Sequence, residues 1–223
     1  MSSTYASLNR GPQKRYVVRQ RAVGCTSGGI IKMRAVDSPT RIRILKSASR
    51  LFYRKGVRAV SMDDVAHAAG VTKMTVYQHF RSKKVLLIDT LRARQEERQE
   101  SLARYIAGTA HLPPVERLGS IFDWLYEYWT RGDWRGCPFV NAAAEMAPEE
   151  DAVRKVALES KVALRNSLQE FAADAEIPDP AKTADALLLL IEGATTMAML
   201  EKDPKAALRA KAVALSMFQT RDT

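Results

Sequence analysis

The side chains between Thr72 and His79 carry the hydrogen-bond donors and acceptors that recognise nucleic-acid bases. Lys73 can donate to guanine O6 and N7, and Gln78 can pair with adenine N6 and N7. The hydroxyl groups of Thr72 and Thr75 suit phosphate oxygens or base edges, and a threonine methyl suits a thymine methyl. This set of residues predicts a segment that reads bases in the major groove of DNA.

A solvent-exposed helical face without a function would contain the same polar residues. The surrounding sequence must therefore distinguish that interpretation from a DNA-binding one. A short helix opened by Ser61 and ended by Gly70 precedes a second helix over residues 72–80. Val76 and Phe80 fall on one side of the second helix, and we expect both to pack inward. Two short helices joined by a tight turn predict a helix-turn-helix, with the polar side of its second helix facing outward.

Further residues of this region suit the sugar-phosphate backbone, which positions a protein on DNA without specifying the sequence. Tyr77 is expected to divide its role between ring packing and a phosphate contact, and Lys83 opens the next helix. The predicted DNA-binding residues are Ser61, Thr72, Lys73, Met74, Thr75, Tyr77, Gln78, His79 and Lys83.

Charge is unevenly distributed along the 223 residues. Residues 1–36 hold seven basic and no acidic residues, residues 37–84 hold eleven and three, and residues 85–223 hold 17 and 22. A basic first third suits a polyanion, for which nucleic acid is the leading candidate. We expect residues 1–36 to be a disordered basic arm, which either reaches DNA phosphates or precedes a true start at Met33.

Apolar residues recur at helical spacing through the rest of the chain, and no segment alternates as a β-strand would. Predicted helices run from Pro39 to before Gly56, from Ser82 onward, from Pro113-Pro114 onward, and over about 139–146, 151–175, 181–201 and 204–219. The sequence predicts an all-α protein with a DNA-binding head at 37–84 and a helical domain at 85–223.

Several classes of protein are disfavoured by composition. Cys25 and Cys137 are too few for a disulfide framework, and no His/Cys cluster has zinc spacing. The longest unbroken apolar run, residues 186–191, has six residues, whereas a membrane span needs about 20. No secretory signal core, Gly-rich phosphate loop or nucleophile–base pair is evident. We therefore expect a cytoplasmic protein that is not an enzyme, holds no metal or cofactor and does not bind a membrane.

The head also resembles a known family. The residues concerned are Ala48-Ser-Arg-Leu-Phe52, Gly56-Val-Arg-Ala-Val-Ser-Met-Asp-Asp-Val-Ala66, Ala69-Gly-Val-Thr72, Tyr77-Gln-His-Phe80 and Ser82-Lys83. Together they resemble the tetracycline-repressor (TetR) family of bacterial regulators. The resemblance implies that the motif binds DNA, that the C-terminal helices bind an effector and dimerise, and that the protein is a repressor or, less commonly, an activator. Met74 stands where relatives often have glycine, and the basic arm is not a general family feature.

Most aromatic residues of the C-terminal domain lie between residues 122 and 139. Ordinary core packing accounts for any one of them, whereas the resemblance implies an effector pocket with polar anchors such as Asn141 and Glu145. The residues predicted for this pocket are Phe122, Tyr126, Trp129, Trp134, Cys137, Phe139 and Asn141. Cys137 is either a small buried residue or, as in a similar TetR-type subgroup, a thiol sensor of oxidants and electrophiles, with Arg135 supplying positive charge.

The last two predicted helices carry too much apolar surface for one face. Burial within one subunit would satisfy them, but pairing with a second subunit would form a four-helix bundle about a twofold axis. The residues predicted at that interface are Leu188, Ile191, Ala194, Met197, Ala198, Leu208, Ala212 and Leu215.

These features predict a dimeric regulator that binds a palindromic operator, and the resemblance implies that a small-molecule effector releases it. The fourth helix, which spans both parts, is expected to act as the lever between them. Two other classes remain open at this point. A helical enzyme would show turnover, and a sequence-nonspecific nucleic-acid-binding protein would bind operator and random DNA alike.

Overall fold

A computed structural model describes residues 38–132, 134–146 and 151–219 of the chain. Over these ranges it contains nine α-helices and no β-strand, which confirms the all-α prediction. The expected basic arm at residues 1–36 lies outside the described residues. The helices are α1 (Pro39–Lys55), α2 (Met62–Ala69), α3 (Lys73–His79), α4 (Lys83–Gly108), α5 (Pro114–Trp129), α6 (Pro138–Met146), α7 (Asp151–Asp174), α8 (Pro180–Glu201) and α9 (Ala206–Gln219).

Both ends of α2 have the local chemistry that the sequence predicts. The Ser61 hydroxyl oxygen accepts from the Asp64 N–H at 3.1 Å, and the Asp64 carboxylate accepts from the Ser61 N–H at 2.7 Å. The hydrogen bond from the Ser61 hydroxyl is the main reason that the pKa of Asp64 lies below its usual value. Gly70 ends the helix at φ +62°, in the left-handed region that glycine enters without steric cost.

Two hydrophobic cores organise the nine helices. The first joins α1, α2 and α3 to the beginning of α4, to α6 and to the start of α7; Ile44, Val65, Phe80 and Phe139 lie at its centre. The second joins the end of α4 to α5, α7, α8 and α9 around residues such as Phe122. Because α4 contributes to both cores, it connects the head to the rest of the chain.

Helix α8 packs between α7 and α9, and α9 lies against both α5 and α8. Gly119 allows the close approach of α9, since a Cβ at this position would lie 3.0 Å from Cδ2 of Leu215. In the described part of the chain, α8 alone is long and apolar enough to cross a membrane, with a mean hydropathy of 1.4 over its best window. The length of the longest unbroken apolar run did not reveal this, because a mean over the helix tolerates single polar residues that interrupt such a run. Such weak signals are also given by core helices of soluble proteins, and a third of this window is buried within the fold.

Candidate nucleic-acid interface and ligand cavity

Helix α3 is held in the head by two side chains that are completely buried. Val76 and Phe80 are both 0% exposed, as the sequence predicts. The Arg41 guanidinium lies 4.6 Å from the centre of the Phe80 ring and bonds to the Asp89 carboxylate at 2.5 Å. These contacts tie α3 to α1 and α4, so its opposite side faces solvent.

The solvent side of α3 carries most of the residues predicted to bind DNA. Thr72, Lys73, Met74, Tyr77 and Gln78 are exposed, whereas Thr75 and His79 are half-buried at its edges. Met74 is 69% exposed, although burying an apolar side chain of this size would be favourable. A thymine methyl in the major groove is a suitable partner for it.

Thr72 and Thr75 are already engaged with each other. The Thr72 hydroxyl oxygen accepts from the Thr75 N–H at 3.1 Å and lies 2.8 Å from the Thr75 hydroxyl oxygen. Thr72 therefore caps α3, as its place at the start of this helix predicts.

Lys73 has an acidic partner in the absence of DNA. Its ammonium donates to the Asp63 carboxylate of α2 at 2.8 Å, and this hydrogen bond is the main reason that the pKa of Lys73 lies above its usual value. Both side chains are more than half exposed, so the pair is weak and can exchange Asp63 for a base or a phosphate.

The other predicted backbone contacts also have partners within the head. Ser61 donates its hydroxyl hydrogen to Asp64 at 2.6 Å, and the Lys83 ammonium donates to the Arg58 carbonyl at 3.4 Å. Tyr77 is 42% exposed, in keeping with a ring that is partly packed and partly free.

A second candidate site is a cavity of about 40 Å³ enclosed by side chains of α4 to α8, which we call the aromatic cavity. Of the predicted pocket residues, Trp129, Trp134, Cys137 and Phe139 line it, and the two indole rings stack with centroids 5.1 Å apart. Lining residues that the sequence analysis did not assign to it include Arg94, Arg98, Trp124, Tyr128, Lys161 and Glu192.

Three residues predicted for this pocket do not line the aromatic cavity. Phe122 is 0% exposed within the second core, and Tyr126 packs against the same core. The Asn141 amide donates to the Arg135 carbonyl at 2.9 Å, on the side of α6 that faces the head. Aromatic residues at helical spacing share a face, but spacing alone does not determine whether that face meets a cavity or a packed core.

Half-buried charged groups also line the aromatic cavity. The Lys161 ammonium bonds to the Glu192 carboxylate at 2.6 Å and lies 3.3 Å from the sulfur of Cys137, which is 9% exposed. The Arg98 guanidinium lies 5.1 Å from the centre of the Phe139 ring. Burial is the main reason that the pKa of Tyr128 lies above its usual value.

Arg94 and Arg98, which the sequence analysis did not assign to a site, belong to a segment of α4 that is rich in charged residues. Their separation of four residues places both on one face of the helix, and that spacing was the available signal. Only the packing of α4 against α5 and α7 shows that this face is turned inward.

Helix α6 connects the aromatic cavity to the head. Its first residues, Pro138 and Phe139, line the cavity, and near its other end the Glu145 carboxylate accepts from the backbone N–H of Val57 at 2.8 Å and from that of Arg58. Glu145, which was expected to anchor an effector, holds the loop that leads into α2.

Tyr53 adds a second connection between the head and the segment before α6. Its hydroxyl donates to the Gly136 carbonyl at 2.8 Å and accepts from the Arg135 N–H at 2.6 Å. The head is therefore tied by hydrogen bonds to both ends of α6.

Helices α8 and α9 expose an apolar strip along a groove of about 560 Å³. Leu189 and Leu200 are 73% and 67% exposed, and Val213 is 50% exposed. Among the residues predicted for a dimer interface, Met197, Leu208 and Ala212 are exposed, and Leu188 and Leu215 are half-buried. Ala194 borders the groove but is buried in the second core, at 7% exposed. Ile191 and Ala198 are buried in the core of the subunit, so for them the interface prediction is corrected, because this side of α8 packs on its own chain.

Within the described ranges, no three His, Cys, Asp or Glu side chains are grouped closely enough to hold a metal ion.

Comparison with known families gives two matches that follow one another along the chain. Residues 44–90 match the model described as "Bacterial regulatory proteins, tetR family", and residues 114–214 match "Tetracyclin repressor-like, C-terminal domain". The first match contains α2, α3 and the loop between them, and the second contains α5 to α8 with most of α9.

Individual relatives are similar over shorter stretches. The chain is 31% identical to the HTH-type transcriptional repressor DhaR of Mycobacterium sp. (strain GP1) over 52% of its own length and 57% of the relative. It is 28% identical to the HTH-type transcriptional regulator AcrR of Shigella flexneri over 68% of its length and 73% of that protein. The chain therefore matches little more than half of the length of DhaR. It matches about a third of the length of two curated regulators from Pseudomonas putida.

The solved structure of a TetR-family transcriptional regulator from Streptomyces coelicolor superimposes with a TM-score of 0.68 at 24% identity. The superposition covers 80% of this chain and 95% of the other, and it shows that the two share a fold.

Proposed function

Because the chain belongs to the tetracycline-repressor family of bacterial transcriptional regulators, we propose that it is a dimeric repressor that a small molecule releases from its operator. The observation that carries the proposal is the solvent side of α3, where Lys73, Met74 and Gln78 stand exposed on a helix fixed by a buried face. A cytoplasmic location follows from this role.

The proposed contacts divide into two kinds. Gln78, Lys73 and Met74 read base edges in the major groove, whereas Tyr77 and His79 contact the backbone and set the register. The hydroxyl groups of Thr72 and Thr75 already form hydrogen bonds at the N-terminus of α3. They are therefore less available to DNA and add less to sequence specificity.

Replacing Gln78 by alanine tests this assignment. A duplex selected from a random pool by the purified full-length protein serves as the operator. Gln78→Ala is expected to weaken binding of that duplex by about 1–3 kcal/mol and to leave binding of random DNA unchanged, because a base contact carries specificity. Gln99→Ala, at an exposed position of α4, is the matched control. Equal affinity of wild type and Gln78→Ala for the selected duplex would overturn the assignment.

The strip on α8 and α9 is proposed as the interface with a second copy of the chain. Its exposed leucine, methionine and valine side chains lie beside a groove, and covering them removes apolar surface from water. Two copies related by a twofold axis can present their α3 helices about one DNA turn, roughly 34 Å, apart.

A charge placed in the strip tests the dimer. Leu189→Arg is expected to produce monomers in sedimentation at micromolar concentration, because a dimer would have to bury the charge. Leu158→Arg, at a position of α7 that is 56% exposed, is the matched control and should sediment as wild type. If Leu189→Arg also sediments as wild type, the interface lies elsewhere.

The aromatic cavity is proposed as the effector site. At about 40 Å³ it is far smaller than the sites of typical ligands, which occupy about 300–1,000 Å³, so its walls must separate when an effector enters. Pro138 and Phe139 form part of those walls, and Glu145 on the same helix holds the Val57–Arg58 loop. Displacement of α6 therefore reaches the head directly, in addition to the expected path through α4.

Such a connection lowers operator affinity by the coupling free energy, typically about 1–3 kcal/mol. Glu145→Ala is expected to reduce the difference in operator affinity between the effector-free and effector-bound protein. Glu159→Ala, at an exposed position of α7, is its control.

Modification of Cys137 is a second candidate signal, and its contact with Lys161 at 3.3 Å is the observation that favours it. Cys137→Ser should then abolish release of DNA by a thiol reagent while leaving operator affinity intact. Release of the serine variant by the same reagent would assign the signal to another residue.

A further inference from the structure

A second cavity, which we call the junction cavity, lies between the head and the C-terminal helices. It encloses about 380 Å³, a volume within the range of small-molecule sites. Phe52 and Gly56 belong to the head wall, whereas Pro138, Ala142 and Met199 belong to the opposite wall. An occupant would therefore touch both parts of the protein at once.

Two guanidinium groups line the junction cavity, and in the described part of the chain they donate hydrogen bonds to neutral oxygens, with the Arg94 group also 4.7 Å from the centre of the Tyr53 ring. Arg94 donates to the Ser49 hydroxyl at 2.7 Å and to the Ser49 carbonyl at 3.2 Å. Arg135 donates to the Arg54 carbonyl. No described carboxylate lies within 4.0 Å of either group, although the planar guanidinium is well suited to bind a carboxylate through two parallel hydrogen bonds.

The acid that lines the junction cavity does not neutralise these cations. Glu145 directs its two carboxylate oxygens to the backbone N–H groups of Val57 and Arg58. Lys55 lines the cavity as well, so its lining has three basic side chains and one acidic side chain. The excess positive charge selects for an anion.

The rest of the lining selects for an apolar body. Phe52, Leu87, Leu91 and Met199 border the same space as the two arginines. A ligand that carries one carboxylate on a hydrocarbon or aryl body matches both features, because the carboxylate forms charge-assisted hydrogen bonds and the body leaves water.

We propose that the junction cavity binds an amphipathic carboxylate, with its charge held by Arg94 and Arg135 and its body against Phe52, Leu87 and Leu91. This site is separate from the proposed effector site, although Arg94 and Pro138 border both cavities. A ligand here fixes the head against α6 and α8, because each wall supplies part of the binding contacts.

The test is calorimetric titration of the full-length protein with octanoate, in the absence of DNA. Octanoate is expected to bind one site per subunit, and octan-1-ol, which has the same chain without the charge, at least tenfold more weakly. Equal affinity for the alcohol and the carboxylate would overturn the proposal.

Variants locate the site. Arg135→Gln and Met199→Glu are expected to weaken octanoate binding at least tenfold, the first by removing a cation and the second by adding an anion to the wall. Met199→Gln and Arg50→Gln, the latter at an exposed position of α1 outside the cavity, are the matched controls. Thermal unfolding of each variant shows whether it is folded. Because Arg135 and Met199 test the site independently, the experiment remains decisive if one of the two variants fails to fold.

Arg98→Gln distinguishes binding in the two cavities, because Arg98 lines the aromatic cavity and not the junction cavity. Loss of octanoate binding in Arg98→Gln with full binding in Arg135→Gln would place the ligand in the aromatic cavity and overturn the proposal. The titration contains no DNA, so its outcome is independent of whether the protein is a repressor.

Discussion

The head and the aromatic cavity position their functional side chains in different ways. In the head, the exposed residues from Thr72 to Gln78 lie on one short segment, and the same segment supplies Val76 for the core. The aromatic cavity collects residues from Arg94 to Thr195, which five helices bring together.

This difference has a consequence for how each site responds to change. The face of α3 depends on a few buried side chains and local caps, so a single local substitution is enough to disrupt it. The aromatic cavity depends on the packing of distant helices, and in the proposed effector response those helices move apart and displace the head through α4 and α6. The following predictions test this contrast, in order of decreasing effect.

Truncation of a buried ring in each core gives the largest expected effect. Phe80→Ala should lower the free energy of unfolding by about 3–5 kcal/mol, because it leaves a cavity beneath α3 and removes the ring beneath Arg41. Phe122→Ala should cost about the same in the second core. Denaturant titration measures both losses.

Hydrogen exchange then shows where the loss falls. For Phe80→Ala the protection of amides should fall in α1 to α3, and for Phe122→Ala in α5, α8 and α9. Equal loss of protection throughout the chain in both variants would show that the two cores unfold as one unit. The head and the C-terminal helices would then not respond separately to substitution.

Substitution of two glycines by alanine gives the next largest expected effect, because one glycine has a positive φ and the other lies in a regular helix. Gly70→Ala is expected to destabilise the protein by about 1–2 kcal/mol, because alanine is strained at φ +62° even though no atom lies within 4 Å of its Cβ. Gly108→Ala, in α4 and also without a neighbour within 4 Å, should instead stabilise by about 0.4–1 kcal/mol. If backbone conformation is the cause, thermal unfolding will show a lower melting temperature than wild type for Gly70→Ala and a higher one for Gly108→Ala.

Asp63→Asn should raise the affinity for DNA a few-fold. The substitution frees the Lys73 ammonium from its partner at 2.8 Å and removes a negative charge beside the proposed phosphate contacts. Fluorescence anisotropy at several salt concentrations measures the gain, which should shrink as salt increases. Asp151→Asn, an exposed acid on α7, is the control and should change nothing. A decrease in affinity for Asp63→Asn would mean that the ion pair positions Lys73 for DNA.

The smallest expected effect concerns pH and the cap of α2. The pKa of Asp64 is lower in the folded protein than its ordinary value of 3.8, so its contribution to stability is present above that pH and is lost as the pH falls through the lowered value. The stability difference between wild type and Asp64→Asn should therefore be constant near neutral pH and shrink in acid. A difference that grows on acidification would contradict the assigned sign.

Much of the fold could be predicted from the sequence, because its signals are local. Helix caps at Ser61 and Ser82, the left-handed glycine at Gly70 and the apolar spacing of Val76 and Phe80 depend on neighbours a few residues away. The same local chemistry predicted which side of α3 faces solvent, and it bounded the longer helices to within a few residues.

Tertiary structure decided the remainder. Whether Phe122 faces a cavity, whether Ile191 and Ala198 face a partner, and whether Glu145 anchors a ligand or the head loop all depend on which helix packs against which. Periodicity identifies the apolar side of a helix, but the free energy of packing is shared among residues far apart in the chain. The pairing of distant faces, and with it the two cavities and their arginines, therefore becomes visible only when the helices are assembled.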